Sequence, residues 1–275
     1  MISKINPKIS VIISTYNEPR WLDFCLESYK NQTNKDFEII IADDGSGEET
    51  KTVVDRYRPL VTEHVWQEDK GFRKTKILNM AIIASKGDYL VFTDGDCIAN
   101  SNLIETQYNK RSANSYLSGS YYKLDAQTSE KIDKSLIKNL FNRETLKQLG
   151  HRPTYKSIKF LASLSVRTFL DKITTTKPTW NGHCSSGWKK DIEAVNGFDE
   201  RMVYGGEDRE LGERLINYGV RPIQIRHRSC LIHLYHKQGY ISEEGKYFNQ
   251  KIRQEVKEKR LKWTEFGIIK SNKYD

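Results

Sequence analysis

Long apolar runs are missing from this chain. No stretch approaches the ~20 residues that a membrane-spanning helix needs, and the opening residues Met1 to Ser10 carry no extended apolar segment, so no secretory signal is expected. Cysteine is scarce. Cys25, Cys97, Cys184 and Cys230 form no C-x-x-C pair, which argues against a thiolate zinc site and a disulfide framework and fits a reducing compartment. Cys25 falls on the apolar face of a helical pattern and reads as core. No internal repeat is present. The expected setting is cytoplasmic.

An acidic excess is also lacking. Lys and Arg number 45 against 36 Asp and Glu, a formal net charge of +9. That balance favours anionic partners: nucleotide phosphates, nucleic acid or an anionic membrane. No recognisable nucleic-acid motif accompanies the charge, and the basic residues are scattered or lie in the tail, so nucleic acid is set aside. The length of 275 residues and hydrophobic fraction of 37% suffice for one large α/β domain, alone or with an elaboration.

The first hundred residues alternate strand and helix patterns. Strands are expected at 9–14, 37–42, 61–67 and 89–93, and helices at 21–29, 48–58 and 74–85. Asn17 and Pro19 mark the start of the first helix. This order predicts an α/β fold with a mostly parallel central sheet flanked by helices. Residues 112–178 break the pattern: a strand is expected at 118–124, helices at 129–149 and 155–172, and a loop at 174–179. Short motifs return from Trp180 to His236. A basic helical tail follows from Lys237.

Chemistry-bearing residues gather at the expected strand ends. Strand four runs into Asp94-Gly95-Asp96. Open α/β sheets bind ligands at the carboxyl ends of their strands, and two acids flanking a glycine can hold Mg²⁺ or Mn²⁺ against a phosphate-bearing ligand. Strand one ends in Thr15-Tyr16-Asn17-Glu18 and strand two in Asp43-Asp44, which together suit the imide edge of a pyrimidine. Read singly, these loops are turns and caps. Gly71, Arg73, Lys74 and Lys76 sit around the start of a helix, where cations oppose the helix dipole and a local anion would compensate. Gly205-Gly206-Glu207-Asp208 opens another helix, and a carboxylate there can deprotonate an acceptor hydroxyl. Trp188 either stacks on a sugar ring or belongs to the core. His233 and His236 close the region, and one imidazole can join Asp96 on a metal. His151, His183 and His227 receive no role.

These motifs resemble the large inverting family 2 of GT-A fold glycosyltransferases, a Rossmann-like nucleotide-diphospho-sugar transferase architecture. The carriers are Ser14-Thr-Tyr-Asn-Glu18, Ala42-Asp-Asp-Gly-Ser46, Gly87 to Asp96 and Gly205-Gly-Glu-Asp208. The second half resembles the galactosyltransferase-type segment shared by bacterial chondroitin-polymerase modules and polypeptide N-acetylgalactosaminyltransferases, through Gly182 to Trp188, Asn196-Gly-Phe-Asp-Glu200 and Gly205 to Asp208. It departs from that segment at 183–187, where His-Cys-Ser-Ser-Gly replaces Cys-Asn-Met-Ser-Phe. The resemblance spans roughly 8–240.

The resemblance implies one GT-A domain over 1–240, with a nucleotide-binding half at 1–111, an acceptor-binding half at 112–240 and a basic tail at 241–275. It implies a UDP-sugar donor and a saccharide or lipid-linked saccharide acceptor in surface polysaccharide (capsule or lipopolysaccharide) synthesis. Thr15, Tyr16, Asn17, Glu18, Asp43, Asp44, Gly71, Arg73, Lys76, Asp94 and Gly95 would hold the nucleotide. Asp96 and His236, with Asp94, would hold Mn²⁺ or Mg²⁺. Asp208, with Glu207 beside it, would be the general base, and Gly206 and Trp188 would meet donor sugar or acceptor. A retaining transferase and a non-catalytic nucleotide- or glycan-binding module are the competing readings. The tail is either a solvated helix or a peripheral contact with the inner face of the membrane.

Overall fold

A computed structural model describes residues 8–236 and 242–270. The expectation of no signal in Met1 to Ser10 falls largely outside them, as do the first residues of the basic tail. Seven strands form one sheet in the order β3-β2-β1-β4-β8-β6-β9. They are β1 (Ile9–Thr15), β2 (Phe37–Asp43), β3 (Val61–Trp66), β4 (Tyr89–Asp94), β6 (Ser115–Ser118), β8 (Ser185–Trp188) and β9 (Arg221–Gln224). All but β8 run the same way, as the α/β expectation required. β1, β2 and β4 are buried on both faces, and parallel strands covered by helices read as continuous apolar runs. A second sheet, β5-β10-β7, joins β5 (Cys97–Ile98), β7 (Ser120–Lys123) and β10 (Cys230–His233).

Helices α1 (Pro19–Lys30), α2 (Glu48–Arg56), α3 (Lys74–Ala84) and α4 (Leu103–Lys110) follow the early strands. One core layer packs α1, α2 and α4 against one sheet face, and α3 packs on the other. The middle segment differs from expectation. The strand at 118–124 is broken at Gly119, which lets the chain leave the first sheet for the second. A Cβ there would lie 2.3 Å from Cys184 Sγ. The two long helices expected at 129–149 and 155–172 are short pieces: α5 (Ala126–Glu130), a 3₁₀ turn at Lys134–Asn139, α6 (Arg143–Gln148), α7 (Ile158–Leu161) and α8 (Leu164–Ile173). Their apolar residues, among them Ile137, Leu140 and Phe160, fill a third core with Trp21 and Tyr122.

Helices α9 (Lys189–Ala194), α10 (Glu207–Tyr218) and α11 (Glu243–Glu258) complete the chain. The Asn196-Gly-Phe-Asp199 motif ties them together. Asn196 Nδ2 donates to the carbonyls of Thr264 and Ile269, and its Oδ1 accepts from Ile269 N at 2.7 Å. Arg214, fully buried on α10, bonds Glu210 and the carbonyls of Val195 and Gly197. Phe198 packs edge-on against Phe92 of β4. The basic tail therefore packs on the body: Arg253 of α11 pairs with Glu213 of α10 at 2.5 Å. No helix among the described residues is long and apolar enough to cross a membrane.

Candidate active site

β1 lies between β2 and β4, so the chain reverses its direction of sheet growth at that point. Such switch points leave a crevice beyond the carboxyl ends of the strands. A cleft of about 590 Å³ occupies it, lined by Thr15, Tyr16, Asn17, Glu18, Asp44, Gly71, Lys74, Asp94, Gly95, Asp96, His183, Tyr204, Gly206, Glu207, Asp208, His233 and His236, among others. Residues from sequence-distant motifs therefore share one wall.

The nucleotide-side loops are bonded to each other. Asn17 N donates to Ser46 Oγ at 2.8 Å, and Asn17 Oδ1 accepts from Gly47 N. Asn17 thus staples two loops and does not cap α1, whose start is set by Pro19. Tyr16 donates its hydroxyl to Asp69. Asp44 accepts from Gln67 Nε2 and from Arg73 N, and burial raises its pKa. Glu18 is likewise raised by burial, with the charge of His236 opposing.

Four expected contacts are corrected. Asp43 turns away from the cleft to bond His64 at 2.9 Å and Ser46 N, because successive residues at a strand end face opposite sides. Arg73 offers the site its backbone N–H, while its guanidinium bonds the Glu68 carbonyl. Lys76 is exposed and lines no part of the cleft; Lys74, two residues away on the opposite side of the helix, does. Trp188 is not a sugar contact. β8 is antiparallel to β4 and pairs Trp188 with Tyr89, at the opposite end of β4 from Asp94, about 17 Å away at the rise of an extended strand. The indole stacks edge-on against Tyr89 and donates to the Ser112 carbonyl.

Two carboxylates stand in opposite electrostatic states. Burial raises the Asp94 carboxyl, but the charge and hydrogen bond of Lys74 at 2.6 Å and a bond from Ser14 Oγ at 2.7 Å outweigh it and hold Asp94 well below the carboxylate range. Lys74 loses from burial and gains more from Asp94, Asp208 and Glu207, so it stays protonated. Asp208 is pushed up to about 7, first by burial and then by the Glu207 charge. Its Oδ1 is buried without a hydrogen-bond partner. Its Oδ2 lies where a Cβ on Gly182 would come within 2.7 Å, so only glycine leaves room for it. Glu207 accepts from Gly205 N at 2.8 Å.

Asp96 faces both histidines expected near it. His236 Nε2 lies 3.1 Å and His233 Nε2 3.7 Å from Asp96 Oδ2. Asp96, Cys97 and His233 bring potential ligand atoms within 4.8 Å of one another. His233 Nδ1 donates to the Leu234 carbonyl at 2.6 Å. This leaves its Nε2 lone pair toward Asp96, the outer-shell arrangement usual for a metal-ligating histidine. Burial pushes the Cys97 thiol far up, so it stays protonated beside Asp96. The Asp96 and imidazole set fits a divalent cation. His183 also lines the cleft, against Tyr121 at 4.5 Å between ring centroids. Burial depresses it to about 3 and keeps the ring neutral. His183 receives no role from sequence, because a lone histidine in a departing motif carries no distinguishing pattern, and Lys74 is grouped there with Arg73 and Lys76 as a cation awaiting an anion, with nothing to set it apart from them.

Residues 10–165 match the model of glycosyl transferase family 2. The chain belongs to glycosyltransferase family 2. Residues 170–237 match a second model, described as the N-terminal domain of galactosyltransferase, in line with the resemblance of the second half. Validoxylamine A glucosyltransferase of Streptomyces hygroscopicus subsp. jinggangensis is 28% identical over 239 residues, 84% of this chain and 56% of that protein. Chondroitin synthase of Escherichia coli is 28% identical over 222 residues, 77% of this chain and 32% of its own. This family 2 chain thus spans about half the length, or less, of these curated relatives. Among solved structures, S. aureus TarS 1–349 in complex with UDP-GlcNAc superposes with a TM-score of 0.62 at 16% identity, covering 90% of this chain and 65% of that one. A Pyrobaculum calidifontis mannosyltransferase in complex with GDP-Man and Mn²⁺ gives 0.56 at 17% identity, covering 86% and 59%. The family 2 chain has the GT-A fold.

Proposed function

We propose that this family 2 chain transfers a hexose or an N-acetylhexosamine from a UDP-sugar to a saccharide acceptor, with Mn²⁺ or Mg²⁺, and inverts the anomeric centre. One observation carries the reading: an ionised Asp94, the Asp96–histidine group and a partnerless Asp208 oxygen line a single cleft at the sheet's switch point. UDP-GlcNAc in TarS and GDP-Man in the Pyrobaculum mannosyltransferase agree with a nucleotide-sugar donor, and the name of the Streptomyces glucosyltransferase agrees with sugar transfer. Thr15 to Glu18 and Asp44 would hold the nucleoside, and Gly71 and Gly95 would admit the diphosphate.

Asp96 with His233 or His236 would hold the cation, which supplies charge neutralisation for the departing diphosphate. Lys74 keeps Asp94 ionised beside it. Asp208 accepts the proton of the acceptor hydroxyl as that oxygen bonds the anomeric carbon. The bond from that carbon to the diphosphate oxygen breaks on the opposite face, and UDP leaves with the electron pair. A single in-line displacement inverts configuration. A lipid-linked or surface-polysaccharide acceptor, reached from the cytoplasmic face of the membrane with the basic tail in contact with it, is part of the proposal.

The test is UDP release from a panel of UDP-sugars with Mn²⁺, Mg²⁺ or EDTA, for wild type and Asp208→Asn. The expected result is metal-dependent release from one donor, lost in the variant, with UDP binding retained. No binding of UDP by wild type would overturn the reading. A product of retained configuration would replace inversion by retention.

A further inference from the structure

A second cavity of about 850 Å³ adjoins the donor cleft and shares Tyr121, Lys123 and His183 with it. Its walls come from β7, the 154–159 turn, the 176–179 loop, the end of β9 and the first turn of α10. Lys123, Lys156, Lys159, Lys177, Arg209 and Arg226 line it, and no Asp or Glu does. None of these six cations forms an ion pair with another described residue.

Two of the six are placed at a cost. Lys159 is 7% exposed, and its ammonium donates only to the Tyr121 carbonyl at 3.1 Å among the described residues. Arg226 Nε is buried without a hydrogen-bond partner. Burial lowers the Lys159 pKa, and Arg226 and Lys156 lower it further. A buried cation such as Lys159 is expensive without an anion unless a ligand completes it, and the half-buried Arg226 keeps a buried donor unpaired. The cavity's position says what that ligand does. Asp208 lines the donor cleft, and the next residue, Arg209, lines the second cavity. A molecule seated there would lie beside the residue next to Asp208 in the chain.

We infer that this cavity is the acceptor site and that it takes a saccharide carrying an anionic group, a carboxylate or a phosphodiester, on a unit behind the reacting sugar. The inference rests on the reading of the first cleft as the donor site. Charge-assisted bonds from Lys159 and Arg226 would hold the anion, while Lys156 and Lys177 at the rim attract it.

The test is calorimetric titration of the full chain, saturated with UDP and Mn²⁺, with three probes of similar length: an oligogalacturonate, an oligo(glycerol phosphate) and an uncharged malto-oligosaccharide. One anionic probe should bind and the neutral one should not, and the winning probe identifies the anion. Binding should weaken with added NaCl. It should fall by about 10-fold or more in Lys156→Gln/Lys177→Gln and in Arg226→Gln, the loss expected for charge-assisted bonds. Lys156 and Lys177 are exposed, so their double variant keeps the test alive if the Arg226 variant misfolds. UDP binding should be the same in all. Failure of wild type to bind UDP would count against the donor reading. With UDP bound, failure of both anionic probes, equal binding of the neutral probe, or undiminished binding by a folded variant would each overturn the inference.

Discussion

The ammonium of Lys74 lies 2.6 Å from Asp94 Oδ1 and also bears on the charges of Asp208 and Glu207. One half-buried cation at the first turn of α3 thus sits among three acids. It opposes the helix dipole there, and the acids reverse that penalty. Its two aspartates end in opposite states, Asp94 ionised and Asp208 raised to about 7. Titratable neighbours pushed apart in this way mark a division of labour between charge and proton transfer.

Replacing Lys74 by Gln leaves Asp94 without its cation. The expected loss is about 1–3 kcal/mol of stability, below the range for fully buried pairs because both side chains keep some exposure. Lys74 also lowers the Asp208 pKa, so the acid limb of the pH–rate profile should move to higher pH. Denaturant melts and a pH series check the two effects separately.

Asp208 works as a base only when ionised. Turnover should therefore rise with pH through about 7. Asp208→Asn should lower turnover by ~10²–10⁴-fold, the usual range for a general base. The same raised pKa has a stability consequence. Between the ordinary carboxyl pKa of 3.8 and about 7, the folded state binds a proton that the unfolded state has lost, so stability falls as pH rises across that window. The Asn variant escapes this. Its melting temperature should exceed wild type by a few degrees at pH 7.5, and the gap should close at pH 4. A variant no more stable than wild type at pH 7.5 would contradict the burial argument.

Asp96→Ala and His233→Ala should each weaken Mn²⁺-supported UDP binding by about 10–100-fold, as ligand or outer-shell losses do. EDTA should bring wild type down to the level of the variants. Equal UDP affinity with and without the cation would refute the assignment.

Asn249 of α11 donates its amide to the carbonyls of Val203 and Gly205 at 2.7 and 2.9 Å. It braces the loop that delivers Glu207 and Asp208. Asn249→Ala should lower kcat more than it raises the KM for the donor, since Asn249 lies outside the cleft lining. Removing everything after residue 240 should do worse, because α11 packs on α10, the helix that carries the proposed base.

Strands β1, β2 and β4 were legible because each is an apolar run buried on both faces. The first helix showed a clear period in Trp21, Leu22, Cys25, Leu26 and Tyr29, which its buried face matches. The short strands were not legible. β8 reads as Ser-Ser-Gly-Trp, and nothing in those letters states that it runs against β4, which is what carries Trp188 to the far end of the sheet. The apolar residues of the two helices expected at 129–149 and 155–172 divide in the structure, Ile137, Leu140 and Phe160 being buried and Leu164 and Phe169 exposed, and their spacing suits a series of single turns as well as a long helix. Within the site, Asp44 and Asp43 are equivalent as letters. Only the strand's alternation separates the one facing the cleft from the one facing His64. The second cavity escaped notice because its six cations come from five separate segments.

The bonds that close around Asn196 come from a residue made 73 positions later. At ~5–20 residues per second, a ribosome needs about 4–15 s to cover that interval. During it, β1 to β4 already have their partners, whereas the socket beneath α10 lacks Thr264 and Ile269. Biosynthesis therefore imposes an order of maturation: β1 to β4 have the means to settle first, and the segment bearing Asp208, the proposed general base, is locked only by the last part of the described chain to be made.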